Sequence, residues 1–294
     1  MMSYDFQTTT HGKWILAGEH AVLRGRGALV FPIAEKKLTL SYKKSTSKLS
    51  ADYVGQNSTD IHLLFWSVLE HGQQLLGQSL NNLSGHFHLH NDIPIGVGMG
   101  ASAALCVAMA RWFAAQHRLD NQEIDNFAKS LENLFHGKSS GLDIAGVAAD
   151  TGIYFNQGSR IPIQQVWKPN WFLSSCGQIG VTSHCIHQVQ VFWDTDAAKA
   201  KEIDSQMEEC VKKAQFALEN DLPISLKILT EAIQDAANCF NAWGLVSENL
   251  QQHMQKLLNA GALAVKPTGS GGGGYVLSLW ADKPPNDNIE FITI

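Results

Sequence analysis

The stretch that most constrains this chain is NDIPIGVGMGASAALCVAMA, residues 91–110. A strand-like segment passes through Gly96, Gly98 and Gly100 and runs directly into a helix opening with Ala101, Ser102 and Ala103. The first turn of a helix carries backbone N–H groups without intrahelical partners, and the helix dipole adds positive potential there. Glycines ahead of that turn let an oligophosphate approach with no Cβ in the way, so the segment predicts a phosphate loop. A tight turn whose glycines serve packing alone is the competing reading. The alanine-rich run from Gly100 to His117 predicts a mostly buried helix packed closely on a sheet.

Three nucleotide folds compete for this loop. Gly96, Gly98 and Ala101 satisfy the dinucleotide pattern G-x-G-x-x-[GA], which requires a strand ending in an acidic residue about 20 positions on. Asp120 has roughly that spacing but precedes a second helix, over 122–135, which disfavours a nicotinamide oxidoreductase. A Walker loop at HGKSS (136–140) would need a glycine where Glu132 stands. No H-R-D or D-F-G follows, so the protein-kinase set is absent.

Elsewhere, residues 13–42 read as strands and tight turns, with Leu38 and Leu40 inward and Thr39 and Ser41 outward. Residues 45–58 are polar and read as a loop or hairpin, 61–76 as a helix and 85–91 as a strand. A strand at 153–155 precedes a proline-containing crossover near 160–170, which sets a domain boundary. Beyond it the pattern gives a strand at 171–175, helices near 195–219, 223–240 and 246–259, and strands at 262–265 and 275–280. His86, His88 and His90 would share one strand face without an obvious further metal ligand, which marks a non-catalytic face. Trp14, Trp66 and Trp112 lie in apolar segments and read as core.

The net charge of −5 argues against a nucleic-acid or membrane-surface binder, because either needs a concentrated basic face. No apolar run approaches the roughly 20 residues that span a bilayer. Five dispersed cysteines without a CxxC pair suggest neither a disulfide framework nor a zinc knuckle. A cytoplasmic protein with a small-molecule partner, free to form a homodimer, is the expectation.

Three further segments carry chemistry. GKWILAGEHAVLRG (12–25) sets Lys13, Glu19 and His20 around a glycine-flanked strand. ENLFHGKSSGLDIAGV (132–147) sets Glu132 and His136 one helical turn apart, then a turn, then Asp143 at a helix start. KPTGSGGGGYVLSL (266–279) places a glycine run between strands, where close approach of a ligand is the better explanation. Taken singly, Lys13 also fits a surface strand lysine, Ser102 and Asp143 helix caps, and Glu132 a solvated helix carboxylate beside Lys129 or Lys138. Glu19 and His20 also fit a structural turn pair. Fourteen of the 25 glycines fall within these four segments.

In this order, from Lys13 to Leu279, the four segments resemble the GHMP kinase superfamily. GK-x-x-L-x-GEH-x-V-x-x-G, HG-x-x-SG-x-D and TG-x-GGGG look most like its mevalonate kinase branch; phosphomevalonate kinases and other members acting on small alcohols or sugars are the alternatives. The resemblance implies a two-domain α+β fold: an N-terminal mixed α/β domain (1–165) with the phosphate loop, and a C-terminal ferredoxin-like α+β domain (166–294). It implies a kinase that uses ATP and Mg²⁺ to phosphorylate a primary alcohol, with Gly96, Gly98, Gly100, Ala101, Ser102 and Ala103 on the phosphates. Ser102 and Glu132 would ligate Mg²⁺, Asp143 would take the acceptor proton and Lys13 would stabilise the attacking oxygen. Glu19, His20, Thr182 and Gly271 would face the acceptor, with the 269–274 loop closing over it. Ser139 stands where the family pattern has proline, and Ala101 where it has the first of two serines. A non-catalytic nucleotide binder on the same fold is the remaining alternative.

Overall fold

The computed structural model describes residues 3–55, 58–136, 139–285 and 289–294. Gly137 and Lys138 of the middle motif, and the side chain of His136, lie outside the described residues. The chain forms two compact units: residues 1–13, 32–95 and 99–150 make the first, and 14–31, 96–98 and 151–294 the second.

Strands β1 (Phe6–Ala17) and β2 (Ala28–Lys48) each contribute to both units. The first unit adds β3 (Ser50–Gly55), α1 (Ser58–Leu75), β4 (Ser84–Asn91), α2 (Ala101–Ala115), α3 (Ile124–His136) and α4 (Leu142–Ala148). β4 runs antiparallel to β2, with Leu89 opposite Leu40 and Phe87 opposite Tyr42, and β3 joins β4 in parallel. The alternation of β4 sends Phe87 and Leu89 inward, where the rings of Phe65 and Trp112 meet Phe87 at 5.1 and 4.9 Å. On its other face Asp52 bonds His86 and His88 at 2.7 and 2.8 Å. Twelve of the fifteen residues of α2 are buried, and its small side chains let Thr10 of β1 reach the Ala104 carbonyl at 3.0 Å.

Two expectations fail here. Ser41 is buried rather than outward, because Gln7 from β1 reaches its hydroxyl at 3.0 Å. Residues 45–55 are not a loop: β2 continues to Lys48, and β3 pairs with β4 rather than folding back as a hairpin. Their polar side chains are mostly exposed, and ladder hydrogen bonding does not require apolar ones.

In the second unit Ala28–Val30 of β2 lies antiparallel to β5 (Ile153–Asn156), which pairs with β6 (Ser159–Pro162). A separate antiparallel sheet has the order β10-β7-β9-β8, from β7 (Asn170–Ser175), β8 (Ala264–Thr268), β9 (Tyr275–Trp280) and β10 (Ile292–Thr293). Helices α5 (Thr182–Thr195), α6 (Ala197–Glu219), α7 (Ser225–Ala242) and α8 (Glu248–Asn259) complete an α+β arrangement. The pattern had no place for α5, whose buried face is reduced to Cys185 and Val189, nor for the two-residue β10. The expected crossover begins instead with the short strand β6. Trp14 stacks on Phe31 at 4.7 Å and meets Trp171 edge-on at 4.8 Å, fixing the core beside β7. Among the described residues no helix is long and apolar enough to cross a membrane.

Gly18 ends the first strand with φ +105°, and a Cβ there would collide with the backbone of Ala28. We expect Gly18→Ala to cost about 2–4 kcal/mol, from an unfavourable left-handed backbone together with overpacking. Urea denaturation checks this; an unchanged midpoint contradicts it.

Candidate active site

In the first unit, β1 carries Lys13 inward with only 2% of its surface exposed. Its amide donates to the Met99 carbonyl at 2.9 Å, and its ammonium reaches Asp143 Oδ1 at 2.9 Å. Asp143 sits in the first turn of α4, after Gly141 caps the helix in a left-handed conformation, and its side chain is about a third exposed (33%). The pair is thus sealed from water on the lysine side and open on the carboxylate side. Gly100 opens α2 with φ +83°; a Cβ there would press Lys13 Cγ and Val147 Cγ1, each at 2.9 Å. For Gly100, packing alone suffices to demand glycine. Beyond it, Ala101 and Ala103 point into the core while Ser102 is half-buried at the first turn.

Glu132, on α3, is buried, which removes the solvated-carboxylate reading. Ser139 donates its hydroxyl to Glu132 Oε2. Burial first, and the charge of Asp143 second, hold the Glu132 carboxyl well above the usual carboxylate range against the pull of the Ser139 bond and Lys13. A buried carboxyl driven toward its neutral form is one that a divalent cation would return to the charged form. The Glu132 carboxyl and the Ser102 hydroxyl are each hard oxygen donors of the kind accepted by an Mg²⁺ that retains waters and phosphate ligands. Among the described residues no group of three or more His, Cys, Asp or Glu is arranged to hold a metal by itself.

In the second unit, Gly96 and Gly98 have φ +78° and +82°. A Cβ on Gly96 would meet nothing within 4 Å, and one on Gly98 only the Thr268 carbonyl at 3.9 Å. Backbone conformation, not packing, requires these two glycines, and the space above them is open.

Glu19 and His20 follow Gly18 in the same unit. Lys266, fully buried on β8, gives its ammonium to Glu19 Oε1 at 2.5 Å and to the Ile15 carbonyl at 3.3 Å, and lies 5.2 Å from the Phe240 ring centroid. Burial lowers the lysine's proton affinity while Glu19 raises it. His20 adopts φ +58°, an uncommon conformation for a residue with a side chain, and its Nε2 bonds the Ser270 carbonyl at 2.9 Å. Since a carbonyl can only accept, Nε2 carries the proton. The ring sits edge-on to Trp243 at 5.3 Å, and burial pushes its pKa down to about 4, so it is neutral at physiological pH. Thr182 opens α5 and receives the Ser270 hydroxyl at 3.3 Å.

At three positions of the glycine run between β8 and β9, packing within the unit is enough to require glycine. A Cβ on Gly271 would meet Leu245 at 2.9 Å, one on Gly273 the backbone of Gln178 and Gly180 at 2.7 Å, and one on Gly274 the Val97 carbonyl at 2.9 Å. The run lets three loops of the same unit pack backbone against backbone. Sequence reasoning also gave no role to Lys266 or Ser270, and noted Ser139 only as a departure. The available signal for Lys266 was a lysine inside AVKPT, a strand otherwise without charge, where burial demands a partner.

The family model for the GHMP kinases N terminal domain matches residues 64–150. The chain is 26% identical over 302 residues to a mevalonate kinase of Thermococcus sibiricus, covering 92% of this chain and 88% of that protein. It is 27% identical over 285 residues to a mevalonate kinase of Archaeoglobus fulgidus, covering 95% and 93%. The crystal structure of L. major mevalonate kinase in complex with R-mevalonate superimposes with a TM-score of 0.78 at 21% identity, covering 96% of this chain and 90% of that one.

Over residues 64–150 the chain resembles the GHMP kinases. Its fold is the GHMP kinase fold, and the matched 64–150 region contains Gly96 to Ala103, Glu132 and Asp143.

The neutral His20 gives the chain a pH signature. The folded ring titrates near 4 and the unfolded ring near 6.5, so below pH 6.5 the unfolded chain binds a proton that the folded chain refuses. The contribution is whole above pH 6.5 and is lost as pH falls toward 4, by up to about 3 kcal/mol. The difference in Tm between the wild type and His20→Gln should therefore shrink from pH 7 to pH 4; a constant difference contradicts the assignment.

Proposed function

We propose that the chain is a mevalonate kinase, transferring the γ-phosphate of ATP to the primary alcohol of mevalonate. The observation that carries the reading is the Lys13–Asp143 pair at the start of α4, beside the buried Glu132. It is supported by mevalonate kinases of similar length matched over nearly the whole chain.

In this mechanism Asp143 accepts the proton of the acceptor hydroxyl as its oxygen forms a bond to the γ-phosphorus and the bond to ADP breaks. Lys13 lowers the energy of the negative charge that gathers on the attacking oxygen. The first-turn amides of Ala101, Ser102 and Ala103, with the backbone at Gly96, Gly98 and Gly100, receive the phosphates. Ser102 and Glu132 would hold Mg²⁺, which when bound would neutralise phosphate charge. Glu19, His20, Thr182 and Gly271 bind the acceptor. Phosphoryl transfer is chiefly positioning and charge stabilisation, so an ammonium, a carboxylate, helix-end amides and a metal are sufficient equipment. Residues 1–165 supply the nucleotide, metal and catalytic groups together with Glu19 and His20, and residues 166–294 supply the rest of the acceptor side, in a cytoplasmic protein.

ADP release measured with ATP, Mg²⁺ and, separately, mevalonate, phosphomevalonate, homoserine and galactose tests the reading. Turnover with mevalonate above all others is expected; turnover confined to another alcohol moves the acceptor, and none with any of the four defeats the kinase. Asp143→Asn should lower kcat by at least about 10²-fold while ATP affinity stays near wild type. Near-normal kcat in that variant contradicts the role given to Asp143.

A further inference from the structure

Ser139 joins two chemistry-bearing elements of the first unit. Its hydroxyl donates to Glu132 Oε2 and accepts the Gly141 amide at 3.0 Å, while its own amide donates to Asn133 Oδ1 at 2.7 Å. One residue is thereby bonded to two successive residues of α3 and to the residue that caps α4, all within a site where its side chain is buried. A hydroxyl has a single proton, and here Glu132 takes it. One carboxylate oxygen of Glu132 is held by that bond, which narrows the orientations in which the other can be presented. The Gly141 bond shapes the turn that places Asp143 two residues later, in the first turn of α4.

We propose that Ser139 is a positioning residue for the phosphoryl-transfer site: it orients Glu132 toward a phosphate-bound Mg²⁺ and seats the turn that presents Asp143. The inference rests on the kinase reading above. Proline, which the family pattern has at this place, could reproduce neither bond that Ser139 donates, since it lacks both the amide hydrogen given to Asn133 and the hydroxyl given to Glu132. In this chain the orientation of Glu132 is therefore coupled to the Asp143 turn through a side chain. Groups that hydrogen-bond a metal ligand set its geometry, and their loss typically weakens metal binding by about 10–100-fold.

The test uses Mn²⁺ as the probe, titrated into the full chain with ATP and no acceptor and followed by electron paramagnetic resonance. Ser139→Ala should weaken Mn²⁺ binding by about tenfold or more and raise the KM for MgATP in step, with the KM for mevalonate within about twofold of wild type. Ser139→Thr, which keeps the amide and the hydroxyl, should bind Mn²⁺ within about twofold of wild type. Wild-type Mn²⁺ affinity in Ser139→Ala overturns the proposal, as does a Ser139→Thr variant that folds but binds as weakly as the alanine variant. If the wild type itself binds no Mn²⁺ with ATP and turns over no mevalonate, the kinase reading fails rather than the role of Ser139.

Discussion

Lys13 reaches Asp143 at 2.9 Å from a position almost closed to water, and much of the first unit follows from accommodating that charge. A buried ammonium is tolerated only when paired, and loss of one partner leaves the other uncompensated. The lysine stem passes over the start of α2, so the residue there must lack a side chain, and Gly100 supplies both that and the left-handed turn. Asp143 occupies the first turn of α4, where the helix dipole favours its charge. The same charge helps to drive Glu132 toward its neutral form. With all three groups ionised the cluster would carry one net negative charge, and holding Glu132 neutral removes it.

The second unit repeats the principle with other residues. Lys266 has no exposed surface and is held by Glu19, the Ile15 carbonyl and the face of Phe240. His20 avoids the problem by remaining neutral, its one proton given to Ser270. Thr268 closes the arrangement by exchanging bonds with both the amide and the carbonyl of Ile15, at 2.8 and 3.0 Å. Lys266, Glu19, His20 and Thr268 are each buried against a specific partner, and that fixes their orientation more firmly than an exposed side chain could be fixed.

Much of this was legible from residue type and spacing. Strand, glycines and alanine-rich helix at 91–110 announce their geometry, because glycine tolerates the left-handed backbone and alanine the close packing. Lys13, Glu132 and Asp143 were identifiable by chemistry, though their convergence was not. What escaped was set by tertiary partners. Ser41 is buried with Gln7 satisfying it, α5 has too narrow an apolar face to register, and Gly273 and Gly274 answer to backbone elsewhere in the chain. Lys266 and Ser139 could be seen as oddities, a charge in a core strand and a serine where the family has proline, yet their bonds depend on residues far away or beyond a turn.

The central claim is that Lys13 and Asp143 act as one unit on the attacking oxygen. A double-mutant cycle on kcat, with Lys13→Met, Asp143→Asn and the combination, tests it most directly. Groups that act as a unit are strongly non-additive, so the double variant should lose no more than about what the worse single variant loses. Losses that multiply would contradict the account.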